Sequence, residues 1–205
     1  MPLPARIGAR RVKAKLAAGD ALIFVDVQND FLPGGSLAVP AGNEIIPILN
    51  RYIALFHARG FAIFATRDWH PPDHCSFIEQ GGRWPPHCIE ASPGAAFPAS
   101  LQFPCDIHII SKATTREKDA YSGFADTPLN ALLKSSGIGR VFIGGLATEY
   151  CVLNTVKDAL RLGYATFILT DAVRAINSSS NDGAHALEEM EHLGAVPIHF
   201  EAISA

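Results

Sequence analysis

The chain has no C-x-x-C pair, no apolar run near the roughly 18 residues of a membrane helix, and no surplus of basic charge. Each absence removes a class of function. Without closely spaced cysteines, a disulfide oxidoreductase lacks its resolving thiol. Without the apolar run, no membrane span is expected. A formal net charge of −3 over 205 residues gives no electrostatic footprint for nucleic acid. No internal repeat, low-complexity tract or secretory h-region is visible. The four cysteines Cys75, Cys88, Cys105 and Cys151 are therefore expected to stay reduced, and the cytoplasm is the expected compartment.

What is present suits one compact domain. A hydrophobic fraction of 48% with 18% charged residues is enough to bury a full core. Residues 1–20 stand apart, because Arg6, Arg10, Arg11, Lys13 and Lys15 make them a basic extension. It is expected to be partly helical and packed on the surface. Gly19-Asp20 separates it from the domain proper, residues 21–205. Asn177-Ser178-Ser179 matches a glycosylation acceptor but reads more simply as a polar turn before a helix.

Within the domain, short apolar runs at Ala21–Val25, Phe61–Ala65, Ile107–Ile110, Val141–Ile143, Ala165–Leu169 and Ala195–Ile198 read as strands. Between several of them, residues 43–59, 127–136, 151–162 and 181–193 carry apolar spacing near 3.6. Gly60, Gly137, Gly163 and Gly194 fall where the helical patterns stop, as helix C-caps do. Near-continuous apolar strands alternating with helices predict the α/β class, a three-layer α/β/α domain around a six-stranded, mostly parallel sheet. Residues 67–106 break the rhythm, dense in Pro, His, Cys and Trp. Loops that long inside a compact domain are usually functional.

Ligands of open α/β sheets bind beyond the carboxyl ends of the strands. The runs end at Asp26, Arg67-Asp68, Ser111-Lys112, the glycine-rich bend before Cys151, and Asp171. Singly, each has an ordinary reading: a turn cap for Asp26 or Asp171, arrival at solvent for Lys112, a small buried hydrophobe for Cys151. Together they put an acid, a cation and a thiol on one sheet edge. Gly144-Gly145-Leu146-Ala147-Thr148-Glu149-Tyr150-Cys151 sets the thiol in the first turn of a helix, where partial positive charge favours a thiolate. Cys151 is the candidate nucleophile for an acyl carbon, Asp26 the candidate general acid–base, and Lys112 the cation that steadies both. Backbone N–H groups at Ala147 and Cys151 are candidates for an oxyanion hole. Cys75, Cys88 and Cys105 read as buried small hydrophobes.

A second constellation lies in the long loop. Asp68-Trp69-His70 presents two ligand-type side chains two residues apart, which an extended strand exit points the same way. Trp84-Pro85-Pro86-His87 brings another imidazole on a segment stiffened by two prolines. Asp68, His70 and His87, with waters completing the shell, are candidate ligands for zinc, iron or manganese. The alternative is histidines that only hydrogen-bond. His74 is a spare candidate, and Trp69, Trp84 and Phe31 suit either the core or the walls of an aromatic-ligand cleft.

Taken together and in this order, Val25-Asp26-Val27-Gln28-Asn29-Asp30-Phe31, Asp68-Trp69-His70, Trp84-Pro85-Pro86-His87-Cys88, Lys112 and Ala147-Thr148-Glu149-Tyr150-Cys151-Val152 resemble the nicotinamidase branch of the isochorismatase-like cysteine hydrolases. The match runs over roughly residues 20–198. Its first and last motifs are shared with relatives acting on other amides, and the paired metal-loop motifs are the more specific part. The resemblance implies an isochorismatase-like hydrolase fold and metal-dependent conversion of nicotinamide to nicotinate and ammonia, with pyrazinamide also accepted. It implies a small-molecule partner rather than nucleic acid or membrane, and a homo-oligomer. The implied triad is Asp26, Lys112 and Cys151. The implied ligands are Asp68, His70 and His87, holding an ion, zinc foremost, that meets the pyridine nitrogen. Phe31 and Trp84 would sandwich the ring, and a cis peptide would fall at Leu146-Ala147. The resemblance offers no role for the basic extension. It leaves His74 out, because some members place an extra histidine ligand six residues after the position of His70, not four. Competing readings are an amidase for another small amide or N-carbamoyl compound, and a non-catalytic ligand- or metal-binding protein.

Overall fold

The computed structural model describes residues 13–204. Six strands make one sheet: β1 (Asp20–Val25), β2 (Ala62–Asp68), β3 (His108–Lys112), β4 (Arg140–Leu146), β5 (Ala165–Arg174) and β6 (Val196–Ile198). Their spatial order is β3-β2-β1-β4-β5-β6, and every neighbouring pair is parallel. Helices α1 (Ile45–His57), α2 (Leu129–Ser135), α3 (Leu153–Arg161) and α4 (Asp182–His192) cover both faces.

The alternation along β1 explains the layering. Successive strand side chains point to opposite faces. Leu22 and Phe24 join Leu49, Ile53 and Phe56 of α1 in one core. Ala21, Ile23 and Val25 meet Leu133 of α2, Val156 of α3 and Met190 of α4 in the other. A strand apolar at every position needs cover on both sides, so the three-layer α/β/α expectation holds, with a sheet wholly rather than mostly parallel.

The predicted helix stops are glycine-capped, as at Gly163, whose φ of 88° closes α3 in the left-handed region. Gly145 has a different task. Paired with Val25 in the register of β1 and β4, it has a φ of 127°. A side chain there would collide with the main-chain oxygen of Val25. Gly145→Ala is therefore expected to cost about 3 kcal/mol or more, read as a lower urea midpoint; an unchanged midpoint would contradict this packing.

Two expectations are corrected. Asp171 does not end its strand, since β5 continues to Arg174 past an irregularity in its pairing with β4. Its carboxylate accepts the Tyr52 hydroxyl at 2.8 Å and the Phe200 N–H at 2.9 Å, so it clamps α1 to the chain end. Of the basic extension only residues 13–20 are described, and there Ala14–Lys15 pairs in parallel with Ile203–Ser204. There the Arg140 guanidinium grips both Asp20 oxygens, at 2.5 and 2.6 Å, and the Lys15 carbonyl at 2.8 Å. Arg6, Arg10 and Arg11 lie outside the described residues. Among the cysteines, all unpaired, Cys88 is buried, but Cys75 is half-buried and Cys105 exposed; Cys105 sits in the turn entering β3, beyond the core. Among the described residues, no helix is long and apolar enough to cross a membrane.

Candidate active site

The strand register assembles the site. Asp68 and Lys112 close β2 and β3 as direct register partners, so their side chains leave the sheet edge together. Asp26 follows β1 immediately. β4 hands over through Ala147 to a π-type turn, Thr148–Val152, which carries Cys151 into α3. The strand order changes direction between β1 and β4, the usual crevice of such sheets.

Lys112 is the hub. Its ammonium is buried, 3.0 Å from Asp26 Oδ2, 2.5 Å from Asp68 Oδ1, 2.9 Å from the Ala120 carbonyl and 3.5 Å from Cys151 Sγ. Asp26, with a left-handed φ of 51°, accepts the Thr66 hydroxyl on Oδ1 at 2.6 Å. Its Oδ2 has no directional hydrogen bond among the described residues; the Lys112 nitrogen is close but off-line. Carboxylate oxygens of Asp26 and Asp68 and the Cys151 sulfur all lie within 4.8 Å of one another. A buried carboxylate beside a thiol is a ready proton acceptor.

Burial raises the Asp26 carboxyl; Lys112 works against that, and Asp68 adds to it. Burial pulls on Lys112 in the opposite sense, but Asp26 and Asp68 outweigh it and hold the ammonium well above its ordinary range. The Cys151 thiol is pushed well above its ordinary value, by burial first, with Lys112 opposing and both carboxylates reinforcing. These influences work against the thiolate that a helix start alone would favour.

The metal-type trio also converges. Ligand atoms of Asp68, His70 and His87 all lie within 4.8 Å of one another, with Asp68 Oδ2 3.7 Å from His70 Nε2. His70 Nδ1 lies 3.1 Å from the Ala113 carbonyl and His87 Nδ1 2.8 Å from the Pro85 carbonyl. A carbonyl can only accept, so both rings carry their proton on Nδ1 and keep the Nε2 lone pair free. Burial first, then His87 and His74, push His70 down to about 3, so its imidazole is neutral, as a metal ligand must be. One carboxylate and two oriented imidazoles fit a divalent ion. His74 has no free nitrogen: Nδ1 takes the Ser76 hydroxyl at 2.8 Å, Nε2 donates to the Lys118 carbonyl at 3.1 Å, and its ring stacks on His70 at 4.2 Å.

The metal-type trio and Cys151 open onto one pocket, lined among others by Phe31, Trp84, Tyr121, Ala147 and Tyr150. Phe31 packs on the His87 ring at 5.6 Å. Trp84 donates its indole N–H to the Tyr121 hydroxyl at 3.0 Å and meets the Tyr150 ring at 5.1 Å. The Leu146-Ala147 peptide is cis. Trp69 is not among the lining residues and packs under the Arg67 guanidinium at 3.6 Å. Motif spacing alone does not single out Thr66, Gln28, Tyr121 or Tyr150. Thr66 lies two residues before Asp68 in β2, the spacing that shares a face on a strand.

The chain is similar to a nicotinamidase of Escherichia coli, 39% identical over 196 residues that cover 85% of this chain and 92% of that one. It is similar to a nicotinamidase/pyrazinamidase of Mycobacterium tuberculosis, 39% identical over 178 residues, covering 83% and 93%. Among solved structures it resembles the pyrazinamidase of Pyrococcus horikoshii in complex with zinc, with a TM-score of 0.86 and 50% identity, covering 89% of this chain and 99% of that one. The Isochorismatase domain model matches residues 20–202. With that extent, those identities and a sheet edge that gathers Asp26, Lys112 and Cys151, the chain belongs to the isochorismatase family.

Proposed function

We propose that the chain is an amidohydrolase converting nicotinamide to nicotinate and ammonia through a thioester on Cys151, with pyrazinamide as a second substrate. The observation that carries this reading is the buried Lys112 ammonium, in reach of Asp26, Asp68 and Cys151 at once. It joins the thiol and the metal-type trio in one aromatic pocket, as suits a small aromatic amide. The names of the relatives point the same way. Four unpaired cysteines suit a reducing compartment such as the cytoplasm.

In this mechanism Asp26 takes the Cys151 proton as sulfur attacks the carboxamide carbon. The carbonyl electron pair moves onto oxygen, and the N–H groups of Ala147 and Cys151 receive it. Asp26 returns the proton to the amide nitrogen, the C–N bond breaks and ammonia leaves. Water, deprotonated by the same carboxylate, opens the thioester, and the thiol is restored as nicotinate departs. Lys112 stays protonated and keeps Asp26 charged between steps. Phe31 and Trp84 flank the ring. Asp68, His70 and His87 would hold zinc, iron or manganese; when bound, the ion supplies a Lewis-acid contact for the pyridine nitrogen.

Asp26→Asn is expected to slow ammonia release about 10³-fold, and a wild-type rate would remove the carboxylate from the mechanism. The pH dependence has a definite sign. Asp26 must be unprotonated to act, and burial raises its carboxyl. Activity is therefore full above that raised value and lost as pH falls through it, at a higher pH than an ordinary aspartate would give; a kcat/KM profile flat through the acid range would contradict this. The substrate assignment is tested with purified, metal-loaded protein on nicotinamide, pyrazinamide and an N-carbamoyl amino acid. Nicotinamide is expected to exceed the N-carbamoyl compound in kcat/KM by at least about 100-fold. The reverse preference would overturn the assignment, and relatives such as the ureidoacrylate amidohydrolase of Variovorax paradoxus, 28% identical, make that comparison necessary.

A further inference from the structure

Asp26, Gln28 and Asp30 alternate along the segment that leaves β1, and each reaches a different part of the site. Asp26 meets Lys112. Gln28 is wholly buried. Its amide nitrogen donates to the main-chain oxygens of Asp68 at 2.8 Å and Ala95 at 2.9 Å, and its amide oxygen accepts the Asp68 N–H at 2.8 Å. One side chain thus holds both main-chain polar groups of a candidate ligand residue. Asp30 Oδ2 accepts the N–H of Cys88, the residue after His87, at 2.7 Å. Its Oδ1 accepts the Ser36 N–H at 3.2 Å and hydroxyl at 3.1 Å. A side chain at Gly94 would strike the Asp30 carboxylate, so the loop is fitted around this group. Two main-chain bonds fasten the same loop to the segment, Asn29 N–H to the Ala96 carbonyl at 2.9 Å and Asp30 N–H to the Gly94 carbonyl at 3.0 Å.

We infer that Gln28 and Asp30 are positioning residues that set the separation of Asp68 from His87, and through it the affinity for the metal. This rests on the metal reading above. Asp68 ends a strand whose position the sheet defines. His87 comes from a long loop in which β pairing is limited to isolated bridges, His70 with Ile89 and Phe77 with Trp84. The loop needs an outside reference, and a charge-assisted bond from Asp30 to the Cys88 N–H supplies it. Gln28 fixes the other end with two donors and one acceptor, a combination glutamate cannot reproduce. Both bonds spring from the segment that carries Asp26, so metal and base share one frame.

The test measures zinc affinity of the full-length protein by competition with a chromogenic chelator, beside the Tm of the metal-free protein. Gln28→Glu and Asp30→Ala are each expected to weaken zinc binding about 10- to 100-fold while still melting cooperatively without metal. Asp30→Asn keeps one acceptor and must also weaken binding, by less, which preserves the test if Asp30→Ala does not fold. Asp171→Asn, which loosens the remote Tyr52 clamp, is expected to lower Tm and leave zinc affinity unchanged, as a purely structural role would. Wild-type zinc affinity in the folded Gln28 and Asp30 variants would overturn the inference and leave the metal reading standing. Failure of the wild-type protein to bind zinc stoichiometrically would overturn the metal reading itself.

Discussion

Cys151→Ala is expected to lower ammonia release by about 10⁴-fold or more, with metal content and fold unchanged. The buried sulfur lines the pocket, 3.5 Å from Lys112. The other nucleophilic lining side chain, Ser76, is engaged with His74 at 2.8 Å. Removing one sulfur leaves a small void costing about 1 kcal/mol, too little to unfold a domain of this size. Cys151→Ser separates nucleophile from packing. The hydroxyl nearly preserves shape, but a serine hydroxyl is far harder to deprotonate than a thiol, so that variant is expected to be as inactive as alanine. Assays of ammonia, metal content and Tm on the same samples check this. Substantial activity in Cys151→Ala would return the cysteine to a packing role.

Lys112→Met should cost both activity and stability. Asp26 and Asp68 would then face each other, buried, with no cation between them. Removing one partner of a buried ion pair costs about 3–5 kcal/mol because the remaining charge is uncompensated. The sign with pH follows. Without Lys112 the burial that already raises Asp26 loses its largest opponent, so its folded-state value lies further above the unfolded one. Such a group favours the fold when protonated, and that contribution is lost as pH rises through the folded value. The variant should therefore be weakest at neutral pH and regain stability toward acid. Its activity should fall about 10³-fold or more, because the base then holds its proton to a higher pH and the thiol loses its neighbouring cation. Lys112→Arg is not expected to rescue it, since a planar fork cannot replace a compact ammonium among four convergent partners. Urea midpoints at about pH 5 and about pH 7.5 test the linkage; equal losses at both would contradict it.

Much of this was legible in the chain because parallel strands are written as apolar runs and their carboxyl ends are where the next polar residue stands. Asp26, Asp68 and Lys112 were readable for that reason, and the register of β2 with β3 then made neighbours of the last two. The limits have physical causes. β5 runs past its apolar stretch because pairing resumes beyond an irregularity with β4, so in sequence Asp171 looks like a strand end although it is a clamp. The protonation of Cys151 depends on burial and on carboxylates from two other strands, which local spacing does not contain. Thr66, Gln28 and Tyr121 act through partners 40 and 37 residues away, a separation only the fold closes.

The central claim is that an amide carbonyl is transferred to Cys151 before water takes it. Its most direct measurement is product partitioning during nicotinamide turnover with hydroxylamine present, a nucleophile nearly as small as the water it competes with. The account predicts that nicotinohydroxamate forms at the expense of nicotinate while ammonia release continues, as an intercepted thioester requires. Undiminished ammonia release with nicotinate as the sole product at every hydroxylamine concentration would contradict it.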